Sequence, residues 1–232
     1  MNLQLIGTSH IAKESVKEIE KAILEKPDIV AVELDIGRAA ALLQKKRNKI
    51  TLTQIMQIGI KGYIFAKIGQ KVQQKLGKMV GVAPGSDMKK AIELASKEKL
   101  MVAFIDQPIQ ITLKRFSKAL TWKEKGKFVL DIFKGLFNPK KQIKELGLEK
   151  FDLSKVPTKE VISKMMLQMK KRYPSLYRTL VEERNKYMVK KLIQLMRKNP
   201  EKKILAVVGA GHLEGMKELL NKVDVVNNNN KS

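Results

Sequence analysis

Four short apolar runs punctuate the chain. Leu3-Gln4-Leu5-Ile6 stops at Gly7, Asp28-Ile29-Val30-Ala31-Val32-Glu33-Leu34 follows Pro27, Leu100 to Ile105 ends on Asp106, and Lys203-Ile204-Leu205-Ala206-Val207-Val208 runs into Gly209. Each is too short for a helix and is bounded by turn residues or a carboxylate, which suits a buried strand. Their apolar character is continuous rather than alternating, as in a parallel sheet covered on both faces. Between them apolar residues recur at helical spacing: Ile11, Val16, Ile19 and Ile23 within Ser9 to Glu25, then Lys89 to Lys97 after the turn Pro84-Gly85-Ser86-Asp87-Met88, and a last helix from about Leu213. Strand, turn and helix in that order make right-handed βαβ units. The pattern predicts an α/β fold with a central, mostly parallel sheet flanked by helices, and with the first and last strands as neighbours.

Two long stretches interrupt this scheme. Residues of about 37–81 and 112–197 show only helical patterning and read as helical inserts within one domain spanning 1–226; the Asn-rich end, 227–232, reads as a disordered tail. In the first insert Lys61, Lys67, Lys71, Lys75 and Lys78 recur on one flank of a helix whose other flank carries Ile64, Phe65, Ile68, Val72 and Leu76. Burial of that apolar flank in the domain's own core is the expectation, with contact to an anionic membrane surface as the alternative. In the second insert Asn138-Pro139, Val156-Pro157 and Tyr173-Pro174 mark helix interruptions.

Charge sharpens the picture. The 232 residues hold 47 Lys and Arg against 23 Asp and Glu, a net +24 concentrated in the middle of the chain. A field of that size favours anionic partners, yet a run of lysines is also an ordinary solvated helical surface. Aromatic residues make up only 5% of the chain and do not interleave with the basic ones, so nucleic acid is not the expected partner. There is no cysteine, which excludes thiolate catalysis, disulfides and thiolate metal sites. The start lacks the pattern of a secretory signal and no apolar run reaches bilayer-spanning length, so a cytoplasmic location is expected. Self-association into a homo-oligomer is left open.

The first and last strands end alike: Leu5-Ile6-Gly7-Thr8-Ser9-His10 matches Val207-Val208-Gly209-Ala210-Gly211-His212, and these are the chain's two histidines. Glycine lets the chain leave the strand sharply, and a residue three positions on, at a helix start, faces the crevice at the carboxyl ends of the strands where open α/β sheets bind ligands. A lone histidine beside an apolar segment is usually structural, whereas duplication in one context points to a shared site. Glu33 and Asp106 close two further strands and supply carboxylates. Two imidazoles and a carboxylate would suit a divalent transition metal, Zn, Mn, Co or Fe, with a position left for water. Helix capping, or pairing with Arg38 or Arg115, is the alternative for both carboxylates.

The blocks Gly7-Thr8-Ser9-His10, Val32-Glu33-Leu34, Pro84-Gly85-Ser86-Asp87-Met88, Ile111-Thr112-Leu113-Lys114-Arg115, Glu183-Arg184-Asn185-x-Tyr187-Met188 and Val207-Val208-Gly209-Ala210-Gly211-His212-Leu213 together resemble the TraB/PrgY family, and they cover nearly the whole chain. The family is similar to the Tiki proteins, which are read as metal-dependent proteases, and more distantly to erythromycin esterase and ChaN-like proteins. The resemblance implies metal ligation by His10, Glu33 and His212 and adds Arg184 as a catalytic candidate to the strand-end carboxylates Glu33 and Asp106. Arg184 would stabilise an oxyanion or bind a carboxylate, because a guanidinium presents paired donors; a surface salt bridge is the other reading. Where the family commonly has Asp-Arg after the third strand this chain has Asp106-Gln107, which puts an anion-binding role there in doubt. The expected function is hydrolysis of a peptide or another small amide or ester; the alternative is a non-catalytic module that captures a peptide or other ligand, as PrgY-like proteins are thought to do. Archaeal relatives often continue into membrane helices, so the resemblance also implies the soluble part of a membrane-anchored protein.

Overall fold

The strands β1 (Leu3–Thr8), β2 (Ile29–Val32), β3 (Met101–Phe104) and β4 (Ile204–Gly209) form one sheet in the order β1-β4-β2-β3, and every pair in it is parallel. The computed structural model describes residues 2–8, 13–43, 63, 85–119, 121–124, 126–127, 130–131 and 159–229. As the sequence pattern predicts, the first and last strands are neighbours, in register from Leu3 opposite Ile204 to Thr8 opposite Gly209. Backbone bonds continue past the strand ends, from Glu33 N–H to Val207 O (3.0 Å) and from Asp106 N–H to Leu34 O (3.2 Å). Both carboxylate-bearing residues are therefore held by the sheet itself.

Strand pleating sends alternate side chains to opposite faces. Val30, Val32, Leu205 and Val207 meet Ile19, Ile23, Met88 and Ile92 from α1 (Lys13–Leu24) and α3 (Ser86–Lys97). Ile29, Ala31, Ile204, Ala206 and Val208 meet Met188, Leu192 and Met216 from α7 (Glu183–Lys198) and α8 (Ala210–Asn229) on the other face. Handedness explains the division. The steps from β1 to β2 and from β2 to β3 run one way across the sheet, so right-handed crossovers place α1 and α3 on one face; the step back from β3 to β4 reverses direction and puts α7 on the other. Continuous burial of β2 and β4 follows, as their apolar runs require.

Of the first insert, α2 (Ile36–Leu43) is described, and Tyr63 is helical and half-buried. The basic amphipathic segment from Lys61 to Lys78 otherwise lies outside the described residues. In the second, α4 (Ile109–Ala119), α5 (Lys159–Arg172), α6 (Pro174–Tyr177), a π-helical stretch (Arg178–Glu182) and α7 follow one another. Pro174 sits in the first turn of α6, where its missing N–H costs nothing. Two contacts tie residues 121–131 to this run. Thr121 and Glu124 form a reciprocal cap, with Glu124 N–H donating to Thr121 Oγ1 (3.2 Å) and Thr121 N–H to Glu124 Oε2 (3.1 Å), while Ser175 N–H donates to Glu124 Oε1 (2.8 Å). Asp131 accepts from the Arg172 guanidinium and from Tyr173 Oη; burial and that carboxylate push the Tyr173 phenol up to about 12.

At the C-terminus α8 is described as far as Asn229. Among the described residues no helix is long and apolar enough to cross a membrane.

Two outcomes test this packing. A Cβ on Gly7 would stand 2.8 Å from Leu213 Cδ2 and 3.3 Å from the Ala210 Cα, so Gly7→Ala should destabilise the protein by about 1–3 kcal/mol in urea unfolding. Burial alone would raise the Glu124 pKa, but bonds from Ser175 and Thr121 outweigh it and hold the carboxyl below its ordinary 4.5. A lowered folded-state pKa contributes stability that is present above the unfolded value and disappears as pH falls through the folded one. Glu124→Gln should thus cost roughly 1–2 kcal/mol at neutral pH, with the two unfolding curves converging in acid.

Candidate functional site at the carboxyl ends of the strands

The chain leaves β1 and β2 towards one face of the sheet and leaves β4, which lies between them, towards the other. Connections that part in this way open a crevice at the carboxyl ends of the strands. Glu33 follows β2 directly, Asp106 follows β3 by two residues, and His212 lies in the first turn of α8 beyond Gly209. His10 falls in 9–12, outside the described residues; the strand ends leading to both Gly-x-x-His segments are nevertheless side by side, Gly7 opposite Val208 and Thr8 opposite Gly209.

Arg184 reaches the crevice from α7 and joins the two carboxylates. Its Nη2 donates to Glu33 Oε1 and to Asp106 Oδ2 (2.5 Å), its Nε to Asp106 Oδ1 (3.1 Å) and its Nη1 to Leu180 O (3.3 Å) in the π-helical stretch just before it. Burial opposes the cation, but the Glu33 and Asp106 carboxylates more than compensate and raise its pKa well above the ordinary arginine value. Asp106 accepts in addition from Arg38 Nη2 and from Gln107 N–H (2.8 Å). Arg38 is held in turn by Asp35, which caps α2 by accepting from Arg38 N–H (3.0 Å) and pairs with Arg38 Nε (2.6 Å). Asp106 therefore holds arginines, and Arg115, the other partner considered for it, pairs instead with Glu183 at 3.1 Å. Gln107, standing where an arginine is common, turns inward to donate to Thr112 Oγ1 (2.6 Å).

Glu33 faces the last strand as well. Its Oε2 accepts from Gly209 N–H (2.6 Å), and its Oε1 lies 3.2 Å from His212 Nε2. The other ring nitrogen, Nδ1, is 2.6 Å from Asn185 Oδ1. Both His212 and Asn185 are buried. Beside this group Thr8 Oγ1 donates to buried Asp87, which also accepts from Met88 N–H (2.8 Å) at the start of α3.

The crevice thus gathers Glu33, Asp106, Arg184 and His212, as expected, together with Arg38, Asn185 and Asp87, to which the sequence assigned no role in the chemistry. Asn185 had a signal in its place beside Arg184 in a helix, and Gly215, one turn beyond His212, had one in being a helix-interior glycine. Glu33, Asp35 and Asp106 bring three negative charges against the two positive charges of Arg38 and Arg184, so these five groups leave an excess of one negative charge. A nitrogen and a carboxylate oxygen 3.2 Å apart in such a field could hold two positions of a transition-metal shell. Among the described residues no three His, Cys, Asp or Glu side chains converge on one point.

Removing the Arg184 guanidinium would leave buried Glu33 without a cation and Asp106 with Arg38 alone. Arg184→Met should cost about 3–5 kcal/mol at neutral pH, and the loss should shrink in acid, where a stranded carboxylate can take up a proton. Chemical denaturation of both proteins across pH measures this; a small, pH-independent loss would contradict the clamp.

The model of the TraB/PrgY/gumN family matches residues 2–225. An uncharacterized protein of Methanocaldococcus jannaschii is 37% identical over 227 residues, which are 96% of this chain and 54% of that protein. TraB domain-containing proteins of Mus musculus and Homo sapiens are 28% and 27% identical over 239 residues, 92% of this chain and 61% of each relative. The chain therefore spans a little over half the length of these relatives. With a family match across nearly all of its length and a relative 37% identical over 96% of it, the chain belongs to the TraB/PrgY/gumN family.

Proposed function

We propose that this domain is a metal-dependent hydrolase that cleaves an amide or ester bond in a peptide or another small substrate. The observation that carries the reading is the approach of His212 Nε2 to Glu33 Oε1 at the carboxyl end of the sheet, in a group of buried charges with a negative excess. His212, Glu33 and, by motif, His10 would hold the ion, Zn, Mn, Co or Fe, which when bound lowers the pKa of a coordinated water and makes it a nucleophile near neutral pH. Glu33 is the group placed to accept the proton of an attacking water, because the Nε2 lone pair of His212 would be taken up by the ion. Arg184 keeps Glu33 aligned, and Asp106 keeps Arg184 and Arg38 in place. Because its donors are directed at carboxylates, Arg184 acts in this scheme by positioning rather than by binding an oxyanion.

A second reading, capture of a peptide or small ligand without turnover, draws support from the same saturation: both oxygens of Asp106, and both of Glu33, are engaged within the protein. In this proposal the domain is cytoplasmic and belongs to a longer protein anchored in a membrane, as the family resemblance implies; the chain spans 54% and 61% of the archaeal and murine relatives.

Purified protein reconstituted with Zn²⁺ or Mn²⁺ and then dialysed should retain stoichiometric metal and cleave members of a peptide and ester panel followed by mass spectrometry. The double variant His10→Ala, His212→Ala should lose both. Metal retained by that variant would sink the site, and metal without turnover on any substrate would leave the capture reading.

A further inference from the structure

We propose that Asn185 is the positioning residue that fixes His212 as its Nδ1–H tautomer, and that Gly215 is glycine because the amide needs its space. An amide oxygen can only accept, so a ring nitrogen 2.6 Å from Asn185 Oδ1 carries the hydrogen. Nε2 then presents its lone pair to Glu33 Oε1 at 3.2 Å. Two acceptors facing each other at that distance form a favourable arrangement only around a shared cation, either a proton or a metal ion. The reverse amide orientation would have the opposite effect. Asn185 Nδ2 would donate to Nδ1, Nε2–H would donate to Glu33, and the histidine would be satisfied with no cation. The direction of one side-chain amide therefore decides whether this crevice is built to receive a positive charge.

In the structure the oxygen of that amide faces the ring and its nitrogen faces α8. His212 and Gly215 are three residues apart on α8 and so share a face, and Asn185 on α7 lies against both. A Cβ built on Gly215 would fall well inside van der Waals contact of Asn185 Nδ2 and 3.6 Å from its Cγ. The nitrogen end of the amide thus lies on the α8 backbone at Gly215, and the oxygen end is left for the ring. Glycine in the interior of a helix is otherwise unfavourable, and this close approach accounts for it. A hydrogen-bond acceptor on the far ring nitrogen sets both the tautomer and the orientation of a metal-ligating histidine.

The consequence for metal affinity rests on the hydrolase reading, but the tautomer does not, and the two are separable by experiment. With only two histidines in the chain, metal-free protein labelled with ¹⁵N-histidine gives a resolvable ring spectrum, and long-range ¹⁵N–¹H correlation identifies the nitrogen that carries hydrogen. A hydrogen on His212 Nδ1, whether or not Nε2 also carries one, is expected in the wild type and in Asn185→Asp, whose carboxylate also accepts. Asn185→Ala should lose the Nδ1 preference, and Gly215→Ala should lose it by displacing the amide. In zinc titrations both variants should bind Zn²⁺ roughly 10–100-fold more weakly, whereas Asn185→Asp should retain affinity. Gly215→Ala added to Asn185→Ala should cost nothing further, because the group it displaces is gone. Should Gly215→Ala fail to fold by circular dichroism, Asn185→Ala and Asn185→Asp decide alone. A wild-type His212 with hydrogen on Nε2 and a bare Nδ1, or a tautomer unmoved in Asn185→Ala, would overturn the proposal. The expected tautomer pattern in a protein that binds no Zn²⁺ would uphold it and reject the metal-dependent reading instead.

Discussion

The guanidinium of Arg184, buried between Glu33 and Asp106, is the interaction on which the crevice depends. It ties the ends of β2 and β3 to a helix on one face of the sheet, and through Asp106 and Arg38 it reaches the start of α2. Neither carboxylate could remain charged in so enclosed a place without a cation, and a point charge such as an ammonium could not serve both with the same forked geometry. The outcome is a rigid floor to the crevice. Glu33 is held from one side by Arg184 and from the other by Gly209 N–H, which leaves its Oε1 directed at His212.

Close backbone approach is the second constraint. Gly7 lets β1 pass beneath the first turns of α8, and Gly215 lets α8 come down on Asn185. The Gly-x-x-His motif can thus be understood as packing and chemistry combined. Its glycine in β1 admits the helix that begins in the other copy of the motif, so the two copies are coupled sterically as well as by strand pairing.

The π-helical stretch between α6 and α7 belongs to the same design. A widened turn changes the phase of everything after it, and here the residues that follow are Arg184 and Asn185, both of which face the crevice. The Leu180 carbonyl within that stretch accepts from Arg184, which gives the widened turn a direct part in holding the clamp.

Much of this was legible along the chain because it depends on local pattern. Continuous apolar runs specify buried parallel strands, helical periodicity specifies what lies between them, and the duplicated motif locates the crevice at strand ends. Those features placed Glu33, Asp106 and His212 at neighbouring strand ends, and the family resemblance added Arg184. Partnership was not legible, because it joins residues distant in sequence whose meeting depends on how helices pack. Nothing local distinguishes Arg38, which binds Asp106, from Arg115, which binds Glu183. Nor does the sequence around Asn185 say that its amide will meet His212 across a helix interface that only a glycine permits. The sequence by itself determined the layers, the strand ends and the kinds of chemical group available; the tertiary structure decided which charge faces which, because that rests on interhelical distances and rotamers that no periodicity encodes.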